Sequence, residues 1–374
     1  MAIQEFSSFK REHKKLINLM PLQTGGILTD AAREALLEFA DGYSTCDFCL
    51  GNLCNITNPP IKNFVHEILP EFLGCDVATI THGAREGKFM VMHCLTNPGD
   101  TIIIDSNRHY TTIVAAERAG LNLIQVPSSG YPEFSINVDD YIPLIEKHHP
   151  KLILLTYPDG NYGNLSDARR LGEVAQEYDV PYILNGAYAV GRMPINMMEI
   201  GADFIIGSAH KSTASAGPCG VLGMKRKWED ILLRRSAVYK SKEVELLGCT
   251  VRGAPLLTFM ASFPYVKERI NRWHEQVAKA QWFSNELENL GLKQLGEKPH
   301  QHDLLHFDAP AFYEISQHVR EKGYFLYKEL KKRGIWGLKP GLSKSFKIST
   351  FAASKEQLGF VIGSFRDLLT EYHR

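Results

Sequence analysis

Between about residues 60 and 225 the chain alternates short apolar runs with amphipathic stretches. This alternation restricts its possible folds more than any other feature. The predicted strands are Val77–Ile80, Thr101–Asp105, Leu121–Val126, Leu152–Thr156, Tyr182–Leu184, Phe204–Ile206 and Gly220–Met224. Helical periodicity fills the intervals at Arg85–Leu95, Thr111–Ala119, Val138–Lys147 and Ala168–Tyr178. The pattern predicts an α/β domain built on a mainly parallel seven-stranded sheet.

Past Trp228 the pattern changes. Thr258–Leu290 reads as one long helix or two, with Pro264 marking a break or kink. The remainder reads as a small α+β domain, with a strand near Asp303–Asp308 and a helix near Phe312–Lys322. The expected organisation is an arm over residues 1–60, a large domain over 61–255, and a connecting helix with a small C-terminal domain over 256–374.

Composition narrows the partners. Lys plus Arg number 42 and Asp plus Glu number 42, so net charge gives no global support for a nucleic-acid partner. The clusters Lys10-Arg11-Glu12-His13-Lys14-Lys15 and Lys331-Lys332-Arg333 read as solvated helix faces. No apolar stretch is long enough to span a bilayer, and Met1–Lys15 has no apolar signal core, so the expected location is the cytoplasm without membrane contact.

Five predicted strand ends carry polar side chains suited to one site. The strand Phe204–Ile206 leads into Gly207-Ser208-Ala209-His210-Lys211-Ser212. This puts a lysine at the carboxyl rim of the sheet, where partial desolvation eases its deprotonation and favours Schiff-base chemistry. Ser208 and His210 offer hydrogen bonds to a phosphate. Thr81-His82-Gly83-Ala84-Arg85-Glu86 joins a strand to a helix through a glycine, so the free amides opening the helix form an anion site. Asn107-Arg108-His109-Tyr110 offers a ring to stack on a cofactor, and Asp159-Gly160-Asn161 offers an amide to a cofactor oxygen. Asn185-Gly186-Ala187-Tyr188 lies one αβ unit before Lys211, where pyridoxal-5′-phosphate (PLP) enzymes place the partner of the pyridine nitrogen. Singly, each is equally a turn or structural residue; jointly they describe a PLP site with Lys211 as its Schiff-base lysine.

The seven cysteines do not suggest a disulfide framework. Cys75, Cys94 and Cys219 read as ordinary buried thiols. Cys46 and Cys49 form a Cys-x-x-Cys pair, open to reading as a redox dithiol, half a zinc site or packed thiols.

On the lysine, glycine and asparagine motifs the chain resembles the fold-type I PLP-dependent transferases (aminotransferase-like) over essentially its full length. That resemblance implies a homodimer with active sites near the subunit interface. Further segments are Ile17-Asn18-Leu19, Pro21-Leu22-Gln23-Thr24-Gly25-Gly26, Tyr43-Ser44-Thr45-Cys46-Asp47-Phe48-Cys49 and Leu247-Gly248-Cys249-Thr250-Val251-Arg252-Gly253. With these the chain is similar to the archaeal Sep-tRNA:Cys-tRNA synthase family. The closer resemblance implies that O-phosphoserine carried on tRNA(Cys) loses phosphate from Cβ and gains sulfur from a donor. Lys211 is then the general base, and Arg85, His109 and Arg252 are candidates for holding the leaving phosphate. Cys46, Cys49 and Cys249 either carry a persulfide or ligate an iron–sulfur cluster. A complex with the ligase that forms phosphoseryl-tRNA is also implied.

Two departures from ordinary aminotransferases bear on substrate. Asn185 stands where an aspartate is usual, and a neutral amide holds the ring nitrogen protonated less firmly. Lys347, in Phe346-Lys347-Ile348-Ser349-Thr350, stands where many relatives clamp a free α-carboxylate with arginine. An aminoacyl ester has no such carboxylate. A cysteine desulfurase or selenocysteine lyase acting on free cysteine is the rival enzyme. A non-catalytic tRNA-binding scaffold is the rival from another class.

Overall fold

The computed structural model describes residues 15–21, 26–40, 61–240, 242–246 and 253–372. The chain divides into two compact units. One comprises residues 25–277 and 296–302, the other residues 1–24, 278–295 and 303–374.

The larger unit holds a seven-stranded sheet: β1 (Val77–Thr81), β2 (Thr101–Asp105), β3 (Asn122–Val126), β4 (Leu152–Thr156), β5 (Tyr182–Asn185), β6 (Phe204–Ser208) and β7 (Gly220–Met224). The spatial order is β1-β7-β6-β5-β4-β2-β3. Only β7 runs antiparallel to its neighbours. Every residue of β4, β5 and β6 is buried, as expected of parallel strands covered on both faces. Alternate side chains feed two cores: Ile153, Leu155, Leu184 and Ile205 belong to one, and Leu152, Leu154, Ile183 and Ile206 to the other. Strand β3, at the sheet edge, opens on the exposed Asn122.

The predicted strands and helices of this unit recur with ends moved by a residue or two, save that Val138–Lys147 resolves into a 3₁₀ turn, Val138–Asp140, and a helix, Tyr141–His148. The long C-terminal pattern is two helices, Gly253–Asn271 and Trp273–Glu288. Their break falls at Arg272, and Pro264 lies inside the first helix. That proline is flanked by packing that holds the helix together. The Phe263 ring meets Phe64 and Phe72 edge-on at 5.2 and 4.9 Å, and Phe259 meets Phe64 at 5.1 Å.

The smaller unit carries an antiparallel sheet of β8 (Lys293–Leu295), β9 (Leu304–Asp308) and β10 (Ser345–Ser349), in the order β10-β9-β8. The helices Pro310–His318, Phe325–Lys332 and Lys355–Tyr372 supply Phe312, Phe325 and Phe365 to its core. Near the N-terminus, Ile17–Asn18 pairs in parallel with Ile335–Trp336 of this unit. A Cβ on Gly337, at φ +138°, would lie 2.5 Å from the Met20 nitrogen, so the pairing needs a glycine there.

Candidate active site

The parallel arrangement brings the carboxyl ends of β1, β2, β4, β5 and β6 to one edge of the sheet, and β7 starts beside them. After β1, Thr81 Oγ1 donates to the Gly83 carbonyl at 3.0 Å, and Gly83 (φ +137°) turns the chain into the helix Ala84–Leu95. The first amides of that helix, including those of Ala84 and Arg85, are the ones an α-helix leaves without intrahelical acceptors. A Cβ on Gly220, opening β7, would lie 2.6 Å from the Gly83 carbonyl carbon and 2.7 Å from Thr81 Oγ1. Glycine at 220 therefore lets the turn sit tight against the sheet. The buried Glu86 carboxylate accepts from the His82 amide and lies 2.8 Å from His82 Nδ1, which fixes the turn from its other side.

After β6 the four-residue helix Ala209–Ser212 carries Lys211. The Ala209 amide donates to the Cys219 carbonyl at 2.9 Å, and His210 Nδ1 lies 3.0 Å from the same oxygen. Nδ1 also lies 3.4 Å from the Cys219 amide nitrogen, and Nε2 lies 3.4 Å from Ser208 Oγ. Lys211 Nζ stands 3.9 Å from the centre of the buried Tyr188 ring. Beyond it, Arg269 donates to the carbonyls of Gly191 and Ser212, and Ser262 Oγ donates to that of Thr213. Gly26 lies against the same segment: a Cβ there would come within 2.7 Å of the His210 carbonyl oxygen.

At the end of β5, Asn185 is 1% exposed, and its Oδ1 has no hydrogen-bond partner among the described residues. After β4, Asp159 is buried and organises the turn. Its Oδ1 accepts from the amides of Asn161 and Tyr162, and its Oδ2 from that of Asn164 at 3.1 Å. Asn161 Nδ2 donates to the Asn107 carbonyl at 3.4 Å, linking the ends of β4 and β2. After β2, His109 caps the helix Tyr110–Ala119 by accepting from the Thr111 amide. Its ring centre lies 4.4 Å from that of Tyr110, over which the Arg85 guanidinium sits at 5.8 Å.

Two buried charges here escaped the sequence reading. Lys88, 1% exposed, donates to Thr111 Oγ1 at 2.7 Å and to Thr112 Oγ1 at 3.1 Å. Burial first, then the positive charges of Lys211 and Arg85, lower its pKa to about 7 against the opposing charge of Asp105. Asp105, fully buried, accepts from the Thr156 amide at 2.8 Å, and burial raises its carboxyl to about 7. The signal that could have found Lys88 was a lysine between Gly87 and Val91, both buried, on a helix expected to face the sheet.

Lys347 is central in β10, paired in register with His306. Cys46, Cys49, Cys249 and Arg252 lie outside the described residues, and among the described residues no group of three or more His, Cys, Asp or Glu side chains is arranged to hold a metal ion. Cys219 is buried as expected, whereas Cys75 and Cys94 are only half-buried. Burial pushes all three thiols up to about 12, which leaves them as poor nucleophiles.

Strand order, the Gly83 turn and the lysine after β6 together define a fold-type I PLP-dependent enzyme. The family model described as O-phosphoseryl-tRNA(Sec) selenium transferase matches residues 52–360, and the chain belongs to that family. It is 54% identical to the O-phospho-L-seryl-tRNA:Cys-tRNA synthase of Methanosarcina acetivorans, over 99% of this chain and 98% of the relative. A crystal structure of a SepCysS–SepCysE N-terminal domain complex superposes with a TM-score of 0.92 at 43% identity, covering 99% of each chain. A cysteine desulfurase from Thermococcus onnurineus NA1 superposes at 0.76 with 16% identity, over 97% of this chain and 99% of that one, a likeness of fold alone.

Proposed function

We propose that the chain converts O-phospho-L-seryl-tRNA(Cys) to L-cysteinyl-tRNA(Cys), using PLP held on Lys211. The observation that carries this reading is the near full-length identity of 54% to a synthase of that name. The family model's description names selenium, and the full-length relatives, named for cysteinyl-tRNA, favour sulfur. The desulfurase alternative has support from fold alone.

The residues fit PLP. The amides after Gly83, with Ser208 and Arg85, suit its phosphate. The unpartnered Asn185 Oδ1 suits its ring nitrogen, and the Lys211 amine suits its aldehyde. Bound there, PLP supplies an electron sink for a carbanion at the substrate's Cα. Lys211 takes the Cα proton as general base. Arg85, His109 and Arg252 bind the phosphate leaving Cβ with charge-assisted hydrogen bonds. Ala84, Glu86, Asn161, Ala209 and His210 complete the cradle, Glu86 by holding His82. Asn185 is neutral and leaves the ring nitrogen without a carboxylate partner, which suits expulsion of phosphate over transamination.

Cys46, Cys49 and Cys249 bring sulfur to Cβ, as a persulfide or through an iron–sulfur cluster. Lys347 stands in place of an arginine clamp because the substrate is an ester. The enzyme works as a cytoplasmic homodimer on its tRNA, joined by a sulfur-delivering partner or by the ligase that charges phosphoserine.

The test is to incubate the holoenzyme with phosphoseryl-tRNA and sulfide, then release and identify the amino acid. Cysteine is the expected product. Unchanged phosphoserine, together with alanine and sulfide formed from free cysteine, would transfer the chain to the desulfurases.

A further inference from the structure

Lys88 sets its amine against the wrong end of a helix. Its ammonium donates to Thr111 and Thr112, the second and third residues of the helix Tyr110–Ala119, where the helix dipole already presents positive charge. It is also buried and within electrostatic reach of Lys211 and Arg85, whose charges Asp105 opposes only in part. A methionine or leucine would fill the same space without that cost, so packing alone does not account for a lysine here.

The hydrogen bonds of Thr111 supply an account. Its Oγ1 accepts from Lys88 at 2.7 Å and lies 2.9 Å from His109 Nδ1. With Lys88 as donor, the hydroxyl proton is free to point at Nδ1. The Thr111 amide also donates to Nδ1, at 3.3 Å. The amide donor makes Nδ1 an acceptor, which assigns the ring proton to Nε2 and turns the Thr111 hydroxyl into a second donor to Nδ1.

We propose that Lys88 is a positioning residue which, through the Thr111 hydroxyl, holds His109 in the Nε2–H tautomer and so gives the active site a ring with a fixed hydrogen-bond donor. In this role Nε2–H meets the phosphate that leaves Cβ, and a ring protonated at Nδ1 would present a lone pair to that anion. The inference rests on the strand-end site being the reaction centre, and its test reads the tautomer independently of turnover.

The test is a long-range ¹⁵N–¹H correlation spectrum of ¹⁵N-histidine-labelled holoenzyme, with the His109 signals assigned by their loss in His109→Gln. The wild-type enzyme should show a protonated Nε2 and a bare Nδ1. Lys88→Met and Thr111→Val should each give mixed tautomers, and Thr111→Ser, which keeps the hydroxyl, should restore the single form. In Lys88→Met, kcat should fall by about tenfold with KM unchanged. A wild-type ring protonated at Nδ1 would overturn the proposal. So would an unshifted Nε2–H signature in Lys88→Met or, should that variant not fold, in Thr111→Val.

Discussion

Lys211 Nζ lies 3.9 Å from the centre of the Tyr188 ring, on the strand-end segment that also presents the buried Asn185. The ring face attracts the ammonium and restricts where the amine can travel. Tyr188→Phe keeps the ring and should hold kcat within about twofold, whereas Tyr188→Leu should lower it about fivefold, a cation–π contact being worth roughly 1 kcal/mol when partly desolvated. Steady-state kinetics on phosphoseryl-tRNA decide this.

The Gly83 turn depends on a second glycine across the sheet. Gly220→Ala would press a methyl carbon into the Gly83 backbone and Thr81 Oγ1, at 2.6 and 2.7 Å. The turn must then move, and the expected result is PLP affinity weakened by about tenfold or more, a loss of roughly 1.4 kcal/mol. Titration of the apoenzyme by visible absorbance measures it. Gly83→Ala meets only an ordinary contact, His210 Cε1 at 3.8 Å, and suffers from its φ of +137° instead.

Asn185 Oδ1 is buried and has no hydrogen-bond partner among the described residues. Asn185→Asp would put a carboxylate beside the ring nitrogen and hold it protonated. The variant should gain measurable transamination of free amino acids relative to the parent. No gain would remove Asn185 from the explanation of reaction choice.

Glu297 gives a pH dependence of stability. Burial raises its carboxyl from 4.5 to about 7; the Leu165 amide opposes the shift and the Asp159 charge adds to it. A carboxyl that binds its proton more tightly when folded stabilises the fold fully below its unfolded pKa. That contribution is lost as pH rises through about 7. Glu297→Gln keeps an acceptor for the Leu165 amide, found at 2.9 Å. Its melting temperature should match the parent near pH 4 and exceed it by a few degrees above about pH 8, a difference of roughly 1 kcal/mol.

What could be read in advance follows the physics of each element. The strands β1 to β7 were legible because each is a short apolar run between amphipathic stretches, and their polar ends because Lys211, Asn185 and Gly83 follow such runs directly. The break at Arg272 was not, because Pro264 is a strong local signal, and aromatic packing by Phe259 and Phe263 keeps the helix continuous through it. Lys88 and Asp105 were missed for a related reason: a charged residue inside a helix or ending a strand reads as solvated until tertiary contacts bury it. The pairing of Ile17–Asn18 with Ile335–Trp336 joins segments far apart in the chain, a contact that local pattern does not encode.

The central claim is that Lys211 carries the cofactor. Borohydride reduction of the PLP-loaded protein, followed by peptide mass mapping, tests it most directly. A pyridoxyl group on Lys211, with none on the Lys211→Ala variant, is the predicted result. Modification of another lysine in its place, Lys88 above all, or of none, would contradict it.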